Sequence, residues 1–151
     1  MIDIRGGEPG PAGALSNFCA YPFIFDGVRC AGAEGLIQSF KFDDPKVQRE
    51  ICGLVGREAK FRGRERDVAW KKAQRLWWQG QEYDRHSEAY QHLLDRLFGS
   101  LSENPDFRIA LLASGDEELT HSIGKADSRE TVLTEQEFCS RLMRLRHRLA
   151  F

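Results

Sequence analysis

At 151 residues the chain is the size of one compact domain, and surface scaling gives a folded surface of roughly 7,800 Å² against roughly 25,000 Å² for the extended chain. Hydrophobic residues make up 41%, aromatic residues 11%, and the net charge is −1, which excludes a disordered chain, a collagen-like repeat and a nucleic-acid binder that works by bulk charge. No run approaches the ~18 apolar residues of a membrane span, and the polar, glycine-rich start from Met1 to Gly13 lacks the apolar stretch of a signal peptide. The expected location is the cytoplasm, with no membrane partner. Cys19, Cys30, Cys52 and Cys139 form no C-x-x-C pair, so reduced core thiols are expected.

Taken in chain order, Ile2 to Ile4 alternates apolar and polar and reads as a short strand, followed by a loop from Gly6 to Gly13. Asp26-Gly27 between Phe23-Ile24-Phe25 and Val28 is a hairpin signal, because a type I′ turn needs positive φ at both central residues; strands are placed at about 22–25 and 28–30. Leu36, Ile37 and Phe40 then make a helical stripe over about 33–42. A second helix opens at Asp44-Pro45, buries Val47, Ile51 and Leu54, and ends at Gly56. Residues 57–75 carry eight cations against three carboxylates, a pattern that fits either a solvated helix face or an anion site. Ser87 to Leu101 is the clearest helix, with Tyr90, Leu93, Leu94, Leu97, Phe98 and Leu101 on one side. Asn104-Pro105 starts another that closes near Gly115, and Leu119 to Ile123 reads as extended. Thr134 with Glu137 fits a capping box, followed by a terminal amphipathic helix bearing Phe138, Leu142, Leu145 and Leu149. The fold class is α+β: a single, mainly helical domain over residues 1–151 with a small β-sheet.

No P-loop, dinucleotide fingerprint, nucleophile elbow or H-E-x-x-H is present, and His86, His92, His121 and His147 are scattered without metal-ligand spacing. No metal or cofactor is therefore expected. Glu34 stands among small and apolar neighbours in the first turn of a helix. It complements the helix N-terminus there, yet with Gln38 and Lys41 at i+4 and i+7 it also forms a polar strip that can look into a cleft.

Several segments together resemble the NADAR (YbiA-like) family. These are Leu15-Ser16-Asn17-Phe18, Pro22-Phe23, Asp26-Gly27, Glu34, Gln38 and Lys41-Phe42; then Ala59-Lys60 with Gly63-Arg64; then Leu111-Leu112, Gly115-Asp116 and Leu119; and finally Leu142-Met143 with Arg146 and Leu149. The resemblance runs in order along nearly the whole chain. It implies a YbiA-like fold and an N-glycosidase that cleaves a base from a ribosyl group, with an ADP-ribosylated nucleobase or a phosphoribosylated riboflavin-pathway intermediate as substrate. By the same resemblance Glu34 is the catalytic carboxylate. The chain departs from the family pattern after Leu119: His121 occupies a position where the family has glutamate, the Trp-Gly pair is missing, and Asp127 is left as the stand-in for the family's aspartate.

Such a reaction leaves positive charge on the anomeric carbon, which a fixed carboxylate stabilises. Glu34 and Asp127 are the expected catalytic pair. Lys60, Arg62, Gly63 and Arg64 are expected at the phosphates, and Asn17, Lys60 or a water at the leaving base. Phe18, Trp77 and Trp78 are candidate stacking partners, and Gln38 is a further binding residue. The expected partner is a small nucleotide or an ADP-ribosylated base, free or carried on a modified nucleic acid. An alternative is a non-catalytic module that binds ADP-ribose or a related nucleotide. A third reading is an interaction protein using Arg141, Arg144, Arg146 and Arg148 of the terminal helix.

Overall fold

The computed structural model describes residues 1–150. Its elements in order are β1 (Ile2–Asp3), α1 (Gly10–Ala14), β2 (Phe23–Phe25), β3 (Val28–Cys30), α2 (Ala33–Ser39), α3 (Pro45–Cys52), α4 (Gly56–Gly63), a single 3-10 turn (Arg64–Arg66), α5 (Asp67–Ala73), β4 (Arg75–Trp78), β5 (Gln81–Asp84), α6 (Glu88–Leu101), α7 (Pro105–Ala113), β6 (Leu119–Thr120) and α8 (Glu135–Ala150). The fold is mainly helical α+β. In place of one small sheet there are three two-stranded ladders among the described residues. β2–β3 and β4–β5 are antiparallel hairpins, and β1 pairs in parallel with β6, Ile2 opposite Leu119.

Side-chain caps begin the helices where the residue pattern suggests. The Asp44 carboxylate accepts from the Lys46 amide, and Ser87 and Asn104 do the same for α6 and α7. At α8 the box is reciprocal: Glu137 N donates to Thr134 Oγ1 at 3.0 Å while Thr134 N donates to Glu137 Oε1 at 2.8 Å. The six apolar residues of α6 are buried and meet Phe138, Leu142 and Leu145 of α8 in one continuous core that reaches from Ile4 through Leu36, Phe40 and Trp70. The accessible surface is 8103 Å², close to the scaling value.

Four elements differ from the sequence reading. α2 stops at Ser39 because Gln48, fully buried, donates from its one amide nitrogen toward the carbonyls of Ser39, Phe42 and Trp77, satisfying the end of the helix and docking the β4 strand on it. Gly56 opens α4 rather than closing α3, with φ of +53° beside the Phe18 backbone. The β4–β5 hairpin turns at Gln79-Gly80, whose φ values of 48° and 87° are those of a type I′ turn. Residues 10–14, read as loop, make the short helix α1.

The terminal helix does not present its arginines outward as a set. Arg141 and Arg146 are buried, the first bound to Gln91 and Asp95, the second to Ser114 Oγ and the Glu117 carbonyl. All four cysteines are free thiols, three of them buried. Among the described residues no helix is long and apolar enough to cross a membrane, and no group of three His, Cys, Asp or Glu side chains is placed to hold a metal ion.

Candidate active site

A cavity of about 620 Å³ opens between α2, the segment after α1, the α4–α5 face and the loops at 121–125 and 130–133. α2 is anchored to its floor by the Glu34 amide, which donates to the Asn17 carbonyl at 3.3 Å. Spacings of four and seven residues then put Glu34, Gln38 and Lys41 on the cavity wall, all three buried. Gln38 Nε2 donates to Glu34 Oε1 at 2.9 Å, and no other protein hydrogen bond reaches that carboxylate among the described residues. Gln38 lies so close to Gly63 of α4 that a Cβ at that position would sit 1.8 Å from Gln38 Oε1. The missing side chain is what lets the two helices approach.

Burial pushes the Glu34 carboxyl above the ordinary carboxylate range, while the Gln38 hydrogen bond and the charges of Lys60, Lys41 and His121 pull the other way. Lys41 donates to Asp67 Oδ1 at 2.6 Å. Its ammonium is shifted down by burial, against the opposing pull of Asp67. Seven cationic side chains line the cavity against three carboxylates, on a chain of net charge −1. Lys41 is held by Asp67 and Lys71 by Glu130, whereas Arg5, Arg57, Lys60, Arg64 and Lys125 have no carboxylate partner among the described residues. The cavity therefore carries net positive charge, with one carboxylate, Glu34, that lacks an ion-pair partner among the described residues. At its mouth Phe18 is 38% exposed, and Lys60 Nζ lies 5.9 Å from its ring centre.

The structure brings Asn17, Phe18, Glu34, Gln38, Lys60 and Arg64 to this cavity, with Gly63 directly behind Gln38. It does not bring four others, of which Trp77 sits in β4 outside the cavity lining. Trp78 is a core residue: its ring packs on Phe25 and Phe40 at 5.5 and 5.8 Å, and its indole N–H donates to Asp26 Oδ2. The tryptophan that lines the cavity is Trp70. Arg62 turns away, its guanidinium 5.1 Å from the Phe42 ring and ion-paired with Glu65 one turn on. Asp127 is exposed outside the cavity, where its carboxylate accepts from the Arg129 amide at 2.9 Å in a local turn. Asp67, tied to Lys41, is the nearer acidic neighbour that residue spacing did not disclose.

His121, scattered among the histidines in the sequence, also lines the cavity. Its Nδ1 is 2.8 Å from the Ile4 carbonyl, and its ring stands edge-on to Phe138 with centroids 5.4 Å apart. The only sequence signal for it is its occupation of the family's glutamate position.

Comparison with known proteins gives a family and a fold. The family described as bacteriophage protein GP30.3 matches residues 10–147. An uncharacterized 17.1 kDa protein from the Gp30-rIII intergenic region of Enterobacteria phage T4 is 37% identical over 150 residues, covering 98% of each chain. The NMR structure of the E. coli protein YbiA shares the fold with a TM-score of 0.63 at 21% identity, over 99% of this chain and 87% of that one.

Proposed function

The chain belongs to the bacteriophage protein GP30.3 family and carries the fold of YbiA, and from that premise we propose that it is a NADAR-type N-glycosidase that hydrolyses the bond between a base and a ribosyl group, with an ADP-ribosylated base or a phosphoribosylated intermediate as substrate. The observation that carries the reading is Glu34: a buried carboxylate without an ion-pair partner among the described residues, held by Gln38 in the wall of a cavity lined by seven cationic side chains and two other carboxylates.

The volume of about 620 Å³ falls in the roughly 300–1,000 Å³ range of small-ligand sites. Arg57, Lys60 and Arg64, on and just past α4, supply donors for a phosphate or diphosphate. Phe18 at the mouth offers a flat apolar face for the base. With the anion held there, the anomeric carbon faces Glu34, which offsets the charge that develops on the sugar and takes a proton from the attacking water. General base catalysis of this kind contributes about 10²–10⁴ in rate. Burial raises the proton affinity of Glu34, which makes it a stronger base than an exposed carboxylate.

The test is release of free base from ADP-ribosylated guanine and from ribosylaminouracil phosphates, followed chromatographically with wild type, Glu34→Gln and Glu34→Ala. Turnover by wild type and its loss in both variants is the expected result; equal turnover by the variants refutes the role of Glu34. The outward position of Asp127 favours a second reading, a nucleotide-binding module without turnover. Calorimetric binding of ADP-ribose with every substrate intact after long incubation would select it.

A further inference from the structure

If Glu34 takes the proton of the attacking water, the departing base still needs one. The cavity that holds Glu34 is also lined by a histidine, His121. A carbonyl oxygen only accepts, so in the 2.8 Å contact with the Ile4 carbonyl His121 Nδ1 is the donor, which leaves Nε2 as the ring nitrogen free to meet a ligand. The ring is fixed on all sides. Phe138 meets it edge-on, Glu135 Oε1 accepts from its backbone amide at 3.0 Å, and Asp3 clamps the next residue through Ser122 N and Oγ. Gly124 packs against the Cδ2 edge of the ring, where a Cβ would lie 2.5 Å from His121 Cδ2 and 3.3 Å from Nε2. Nε2 has no hydrogen-bond partner among the described residues, and the residue lines the same cavity as Glu34.

We propose that His121 is the general acid of the site, delivering the Nε2 proton to the leaving base. This rests on the N-glycosidase reading. The C1′–N bond breaks and its electron pair moves onto the base nitrogen, which receives the proton from Nε2. Water oxygen bonds to C1′ and its proton passes to Glu34. Solvent then removes the proton from Glu34 and restores that on Nε2, so the sum is N-riboside plus water giving free sugar and free base. The charged groups next to His121 are Asp3 from β1, Glu135 from α8 and Glu34 from α2, and Lys41 just past α2, Lys60 from α4 and Lys125 from its own loop line the same cavity.

The test compares wild type with His121→Asn, whose amide nitrogen can replace the Nδ1 donor to Ile4 but carries no labile proton at the Nε2 position. Two substrates are used: ADP-ribosylated guanine, whose base needs a proton to leave, and NAD, whose nicotinamide leaves neutral without one. Expected is a 10²–10⁴-fold loss of kcat on the first with loss of the alkaline limb of its pH profile, and less than a tenfold change on the second. A variant that retains the rate and the alkaline limb on guanine, or loses both substrates equally, overturns the proton role alone. Wild-type inactivity on ADP-ribosylated guanine and on the ribosylaminouracil phosphates overturns the hydrolase reading and this role with it. Nitrogen-15 NMR gives a readout without turnover: Nδ1 carries the proton given to Ile4, and the Nε2 signal shifts on adding ADP-ribose. An Nδ1 without that proton, or an Nε2 that ADP-ribose leaves unmoved, overturns the assignment.

Discussion

Gly63→Ala reverses the usual sign of a glycine replacement in a helix. In α4 the residue has an ordinary helical backbone, φ −64°, so alanine there relieves entropy and ordinarily adds about 0.5–1 kcal/mol. The new methyl, however, would lie 1.8 Å from Gln38 Oε1, 2.7 Å from its Cδ and 3.1 Å from its Cβ. The far end of a glutamine can swing, but this one is buried and donates to Glu34 at 2.9 Å. Overpacking costs about 1–3 kcal/mol and the lost hydrogen bond about 0.5–1.5 kcal/mol. After the helix gain the net is a destabilisation of about 2 kcal/mol, or about 4–8 °C in Tm for a domain of this size. Thermal unfolding followed by circular dichroism measures it, alone and in a Gln38→Ala background, where the Oε1 and Cδ clashes are gone, only the 3.1 Å contact with the Cβ remains, and the same methyl costs much less. A higher Tm for Gly63→Ala alone, or the same change in both backgrounds, refutes the argument that Gly63 exists to seat Gln38.

Glu34→Gln is expected to stabilise the fold while abolishing turnover. Burial raises the carboxyl's proton affinity in the folded state, so folding favours the protonated form and stability falls as pH rises from the ordinary carboxylate range through the raised value. The variant's advantage in Tm therefore grows as pH rises above the ordinary carboxylate range and fades toward pH 4; a constant difference between pH 4 and pH 8 contradicts it. Asp67→Asn leaves Lys41 buried without its 2.6 Å partner and is expected to cost about 1–3 kcal/mol at neutral pH. The Lys41 ammonium is shifted down by burial in the fold, so the deficit in urea unfolding narrows as pH climbs toward the ordinary lysine range, and a widening deficit counts against it. Arg85 is fully buried, with its guanidinium bidentate on Glu137 at 2.7 and 3.1 Å and Nε on the Thr131 carbonyl at 3.0 Å. Arg85→Met leaves that carboxylate short of its cation for about 3–5 kcal/mol in chemical denaturation, and adding Glu137→Gln recovers most of it; no recovery in the pair refutes the assignment.

Helix faces were legible in the sequence because burial repeats with the helical period, as Tyr90 to Leu101 shows, and helix starts were legible because capping is local chemistry, as at Asp44, Asn104 and Thr134. Asp26-Gly27 announced its hairpin; Gln79-Gly80 makes a turn of the same hand but hides it, since glutamine seldom adopts the positive φ it has here. Partners set by tertiary packing were not legible. Nothing local says that Gln48 ends α2, that Trp78 faces the core while Trp70 lines the cavity, or that His121 meets a carbonyl 117 positions earlier. The strip of Glu34, Gln38 and Lys41 followed from spacing, but the side of the molecule it faces came only with the fold.

The short parallel ladder between β1 and β6 joins the first residues of the chain to its last third. Bringing segments 117 residues apart together costs about 4 kcal/mol in chain entropy beyond a constant, more than two ladder residues return by themselves. As the polypeptide leaves the ribosome, the helix bearing Glu34 is made long before the histidine that stands across from it. The hollow is thus half-built through most of synthesis, and the two sides meet only when the tail end folds back over the beginning.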